Sequence, residues 1–202
     1  PDAFRYRKII KKLDGVGISL DDLGDITCTD RKDLNPGNPK LRYLDEIVRV
    51  SEEVAQKTNA ALRDGNKVIA VGGDHSINLG LLSGASAAVN GDIGVIYLDA
   101  HGDMNTDQTT LTGNIHGMHL ASLMGFGAPE LVRVYGNQTK LAKENLLHIG
   151  GCDFDQAELD LIKNENLRAF TLLDVMSHGL APLLKMIDEL STRVSNVWVS
   201  LD

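Results

Sequence analysis

The run Tyr97-Leu98-Asp99-Ala100-His101-Gly102-Asp103 sets a carboxylate, an imidazole and a second carboxylate at every second position, directly after an apolar stretch. In an extended segment, side chains at i, i+2 and i+4 point the same way, so this spacing predicts that all three converge on one point. Oxygen and nitrogen donors without a thiolate suit a divalent ion such as Mn2+ better than Zn2+ or Fe2+. Two further segments carry the same chemistry at the end of an apolar run: Gly72-Gly73-Asp74-His75-Ser76, and Asp202 after Val197-Trp198-Val199-Ser200-Leu201. Ligands of open parallel sheets gather beyond the carboxyl ends of the strands. His75, Asp99, His101, Asp103 and Asp202 are therefore expected to meet there. Several unpaired carboxylates would repel one another, so two cations about 3.5 to 4 Å apart, bridged by shared carboxylates, are the natural filling. A water shared between them would become hydroxide near neutral pH. Asp74 reads as a supporting carboxylate rather than a ligand.

The elements that must position these groups alternate short β-branched runs with longer amphipathic ones, the pattern of βαβ units. Strands are predicted over 67–71, 93–98, 146–149 and 196–201, with a weaker one at 167–170. Helices are predicted over 39–63, 77–89, 116–124, 155–164 and 179–192. The strands are nearly continuously apolar, as expected when helices cover both faces. The fold class is α/β, a three-layer αβα arrangement around a central parallel sheet, in a single domain over 1–202. Residues 15–39 read as a solvated acidic loop. The polar loop 103–115, directly after the first motif, is long for a compact α/β domain and is expected to serve the site.

Bulk properties narrow the function. A net charge of −8 disfavours nucleic acid and anionic membrane surfaces, and no apolar run approaches the roughly 20 residues that span a bilayer. The chain reads as cytoplasmic, with Cys28 and Cys152 as reduced thiols. Gly72-Gly73 lacks the Lys-Ser/Thr that a phosphate loop requires, and no GxGxxG follows the first strands, which disfavours a dinucleotide-binding oxidoreductase. The chain opens at Pro1 without Met and stops inside a strand-like run, so it is expected to be a fragment of a longer protein.

The three motifs, Gly72-Gly73-Asp74-His75-Ser76, Asp99-Ala100-His101-Gly102-Asp103 and Val199-Ser200-Leu201-Asp202, resemble in order the signatures of the ureohydrolases, the arginase and agmatinase superfamily. The loop from Asn105 through Thr110, Thr112, Gly113, Asn114, Ile115 and His116 to Met118 looks like the arginase branch, since agmatinases usually carry a Ser-His-Gly element instead. The resemblance implies two Mn2+ ions: one among His75, Asp99, Asp103 and Asp202, the other among His101, Asp99, Asp202 and a further Asp two positions beyond residue 202. It implies a bridging hydroxide that attacks the guanidinium carbon of L-arginine and yields L-ornithine and urea. His116 would protonate the departing amine. Asn105, Thr110, Thr112 and Asn114 would hold the amino-acid end, and Asp155, in Gly150-Gly151-Cys152-Asp153-Phe154-Asp155, the α-amino group. A homo-oligomer, trimer or hexamer, is implied in the same way. The alternatives are a ureohydrolase acting on agmatine, formiminoglutamate or guanidinobutyrate, or a catalytically incomplete member of the family. His119 stands where the family commonly has Pro, and is expected to follow His116 along one helical face without reaching the metals. His148 reads as a packing residue and His178 as an exposed loop residue.

Overall fold

Four short strands pair in parallel in the order β3-β2-β1-β4, with β1 (Gly94–Leu98) and β2 (Leu146–Ile149) inside and β3 (Arg168–Phe170) and β4 (Val197–Leu201) at the edges. The structure is a computed structural model and describes residues 5–202. β1 is in register with both neighbours: Tyr97 lies opposite His148 and Ser200, and Leu98 opposite Ile149 and Leu201. Side chains alternate across the sheet. Val95, Tyr97 and Leu146 enter one core with Leu79, Leu82 and Ala85 of a covering helix, while Ile96, Leu98, Leu147 and Ile149 enter a second with Leu183, Leu190 and Val194. Two cores on opposite faces make the three layers expected from the continuous apolar strands.

The helices are α1 (Ile9–Asp14), α2 (Leu44–Arg63), α3 (Ile77–Ala88), α4 (His119–Leu123), α5 (Pro129–Val132), α6 (Gln156–Asn164), α7 (Leu172–His178) and α8 (Ala181–Arg193). Among the described residues, no helix is long and apolar enough to cross a membrane.

Several elements differ from the sequence expectation. Residues 67–71 are no strand: Ile69 and Val71 are exposed, and a groove of about 390 Å³ lies between residues 68–72 and β4. Apolar β-branched sequence makes a strand only where a neighbour offers its backbone, and β4 does not pair with this segment. The helix expected over 39–63 starts at Leu44, after Tyr43 takes a positive φ of 60°. The one expected over 116–124 divides into a 3-10 turn, Ile115–Met118, and α4. α1, α5 and α7 were not expected; α7 is started by Thr171, whose hydroxyl accepts the Asp174 N–H. In the acidic loop, Asp22 and Asp25 are held by the Arg5 guanidinium at 2.7 and 2.9 Å.

Candidate metal centre

The parallel ladder aligns the first two carboxylates. Beyond the end of β1, the Asp99 N–H donates to Ile149 O at 3.1 Å, and the Asp202 N–H donates to Leu98 O at 3.1 Å. Asp99 and Asp202 thus sit side by side at the carboxyl ends of adjacent strands. His75, just ahead of α3, reaches across to them. Its Nδ1 lies 3.1 Å from Asp99 Oδ2, 3.1 Å from Asp103 Oδ2 and 3.3 Å from Asp202 Oδ2. Its Nε2 lies 3.1 Å from Ser200 Oγ, which accepts from Asn78 Nδ2 at 2.8 Å, so the ring orientation is set from behind.

The alternation expected through 99–103 does not persist. The chain bends at Ala100, and Asp103 has a φ of +52°, so its carboxylate reaches His75 through a left-handed turn rather than along an extended face. The turn is held from below by Glu158 of α6. This buried carboxylate accepts the Met104 N–H at 3.0 Å and the Asp155 N–H at 2.9 Å. A Cβ at position 102 would lie 2.7 Å from the Glu158 carboxyl carbon, which is why glycine stands there. Burial raises the Glu158 pKa, and the two N–H donors oppose it. His101 faces outward: its side chain is 62% exposed, with Nδ1 3.3 Å from Asp99 Oδ1.

Charge is distributed unevenly over these groups. Burial pulls the His75 pKa down, but the hydrogen bond and charge of Asp103, with the charges of Asp99 and Asp202, outweigh it and raise the pKa. Burial would raise Asp103, but His75, His119 and Tyr97 bring it down to about 2. Burial and the Asp103 charge hold the Tyr97 hydroxyl protonated, far above its usual range. Asp99 Oδ2 is buried and makes no hydrogen bond, its charge faced by His75 Nδ1 at 3.1 Å.

Among the described residues, two clusters have the donors for a cation: His75, Asp99 and Asp202; and His75, Asp103 and His119. They differ at their centres. The Tyr97 hydroxyl fills the hub of the second, 2.6 Å from Asp103 Oδ2, 2.9 Å from His75 Nδ1 and 3.2 Å from His119 Nε2. The first has the orphaned Asp99 oxygen, and a divalent cation supplies what that oxygen lacks. The residues present therefore fit a metal on the Asp99–Asp202 side.

The polar loop borders this cluster. Asn105 is buried, donates to Asp155 Oδ2 at 2.8 Å and accepts from Thr109 Oγ1 at 2.9 Å. The Thr110 hydroxyl is turned into its own loop, accepting the Gly113 N–H at 2.9 Å, while the exposed Thr112 accepts the Asn114 N–H at 3.2 Å. Gly113 has a φ of +73° and its carbonyl accepts the Arg42 N–H at 2.9 Å; a Cβ there would meet Pro39 O at 1.8 Å. The Lys40 ammonium donates to Thr110 O at 2.7 Å. The half-exposed His116 places Nδ1 3.1 Å from Asp74 Oδ2.

Sequence reasoning missed Tyr97, Ser200, Asn78 and the tethering role of Glu158, and misplaced His119. His119 is fully buried, with its ring centroid 4.7 Å from that of His75. A tyrosine within an otherwise aliphatic strand was the available signal for Tyr97. His148 is buried in β2 and its Nε2 lies 2.7 Å from His101 O, while His178 is exposed. Both cysteines are free and exposed.

Residues 1–202 match the arginase family. The arginase of Brevibacillus brevis is 37% identical over all of the chain and 67% of its own length. Among solved structures, the arginase of Bacillus caldovelox superposes with a TM-score of 0.94 at 34% identity, and that of Bacillus cereus with 0.91 at 35%. Both matches cover the whole chain, and 68% and 67% of the respective relatives. The chain thus spans about two thirds of the length of these relatives. It belongs to the arginase family of metal-dependent hydrolases, which act on guanidino carbon–nitrogen bonds.

Proposed function

We propose that the site hydrolyses L-arginine to L-ornithine and urea, with two Mn2+ ions held by His75, Asp99, His101, Asp103 and Asp202. The observation that carries this reading is the buried Asp99 oxygen, without a hydrogen bond and gathered with His75 and Asp202 into one cluster of donors beside the polar loop. Divalent cations there would supply the positive charge that makes water nucleophilic near neutral pH. The chain's own residues do the rest. Ser200 and Asn78 orient His75, and Glu158 keeps the Asp103 turn from opening. His116 anchors Nδ1 on Asp74, leaving Nε2 to carry a proton to the amine that departs from the guanidinium carbon. The neutral groups of Asn105, Thr110, Thr112 and Asn114 suit an α-carboxylate, and the Asp155 carboxylate suits an α-ammonium. The Asn105–Asp155 hydrogen bond joins the two halves of that binding surface. A single domain over 1–202, a trimeric or hexameric assembly and a cytoplasmic setting belong to the same proposal and rest on family membership and on the free thiols.

The test is urea release from the Mn2+-loaded protein supplied with L-arginine or agmatine. Turnover of arginine with little of agmatine is the expected result. Faster release from agmatine would move the protein to the other branch. Release from neither substrate, with Mn2+ bound, would make it a silent member of the family.

A further inference from the structure

We infer that Tyr97 and His119 form a buried dyad of positioning residues that holds Asp103 and His75 for the metal and ties them to the backbone of His116. This inference rests on the metal site proposed above. Both side chains are 0% exposed, yet both are polar, and neither contributes to the orphaned Asp99 cluster. Buried polar groups persist where their hydrogen bonds are satisfied.

The count of protons defines the arrangement. His119 Nδ1 lies 2.6 Å from His116 O, a carbonyl that can only accept, so Nδ1 carries the hydrogen. A neutral His119 then presents a lone pair at Nε2, 3.2 Å from the Tyr97 oxygen. Tyr97 has one hydrogen to donate, and three groups lie within its reach: Asp103 Oδ2 at 2.6 Å, His75 Nδ1 at 2.9 Å and His119 Nε2 at 3.2 Å. The hydroxyl is therefore a rotor between a proposed metal ligand and a fixed acceptor. When a cation takes the negative charge of Asp103, His119 remains to receive the hydrogen, and no buried hydroxyl is stranded. The same imidazole joins β1, which carries Tyr97, to the turn that carries His116. One rigid ring thereby relates the cluster to the proposed proton donor.

The experiment is Mn2+ titration of the full chain by calorimetry, with Tyr97→Phe, His119→Leu and His119→Gln beside the wild type. Tyr97→Phe keeps the ring and removes only the hydroxyl. Loss of such an outer partner is expected to weaken Mn2+ binding by about 10- to 100-fold, with a shifted visible spectrum in the Co2+-loaded form. His119→Leu removes the second acceptor and is expected to weaken binding by about tenfold. His119→Gln, whose amide oxygen can still accept from Tyr97, is expected to recover most of that loss. Nitrogen NMR of the metal-free wild type should show His119 with its hydrogen on Nδ1. Tyr97→Phe and His119→Leu binding Mn2+ within twofold of wild type overturns the dyad while leaving the metal site standing, as does a hydrogen found on Nε2. Wild-type protein that binds no Mn2+ overturns both together. If Tyr97→Phe fails to fold, the contrast between His119→Leu and His119→Gln decides.

Discussion

The two flanks of His75 use the same donor types in opposite surroundings. On the inner flank, Asp103 and His119 are buried, Tyr97 bridges them, and Glu158 fixes the turn beneath. On the outer flank, the His101 and Asp202 side chains are 62% and 60% exposed. The inner carboxylate is compensated by protein: His75 and Tyr97 touch Asp103 Oδ2 at 3.1 and 2.6 Å. The outer groups face solvent. Asp99 lies on the boundary, with Oδ1 bonded to the His101 N–H and Oδ2 left for a cation. The inner flank is thus organised by the protein itself, whereas the outer one is left open to solvent.

This contrast is most directly broken at the boundary. Asp99→Ala is expected to weaken Mn2+ binding by more than about 100-fold by calorimetry, because the proposed metal cluster loses its buried carboxylate. Wild-type affinity in that variant would show that the flanks bind separately. On the inner flank, Glu158→Ala strands the Met104 and Asp155 N–H groups and should lower metal-free stability by about 2 kcal/mol in urea unfolding. A loss confined to Mn2+ affinity would show that Glu158 acts on the ligands and not on the fold.

Acid titration separates the flanks in a graded way. Burial depresses the His119 pKa from 6.5 to about 4, so the unfolded chain takes up a proton that the folded chain refuses. Metal-free stability should therefore fall as pH drops from about 6.5 to about 4. Asp103, depressed from 3.8 to about 2, contributes stability above pH 3.8 that is lost as pH falls through 2. Urea midpoints between pH 7 and 4.5 should decline in the wild type and flatten in His119→Gln. The smallest effect belongs to the outer flank: His101→Ala should change metal-free stability by less than about 0.5 kcal/mol, read from the thermal midpoint.

The Asp99–Asp202 pair and Asp103 were legible in the sequence, and the rest of the inner flank was not. Asp99 and Asp202 follow apolar strands that the sequence places within about a residue, so their meeting at the strand ends follows from the parallel sheet alone. Residues 67–71 carry the same apolar signal without pairing, because the signal reports fitness for a sheet rather than membership in one. His75 nevertheless reaches the cluster, since its place depends on the start of α3. His119 was misread because one helix was assumed over 116–124. Instead the 3-10 turn ends at Met118, whose φ of −125° breaks the helical path, and His119 opens α4 with its side chain buried. The reach of Glu158 to Met104, 54 residues away in sequence, has no local pattern.

The fastening of the polar loop bears on how fast a ligand can arrive. Glu158 holds Met104, Asp155 holds Asn105, Lys40 and Arg42 hold Thr110 and Gly113, and Asp74 holds His116. A segment pinned along its length behaves as a fixed mould rather than a door. Association at this rim is then set by diffusive encounter and by the field of the acidic chain, which favours cationic ligands and weakens with added salt.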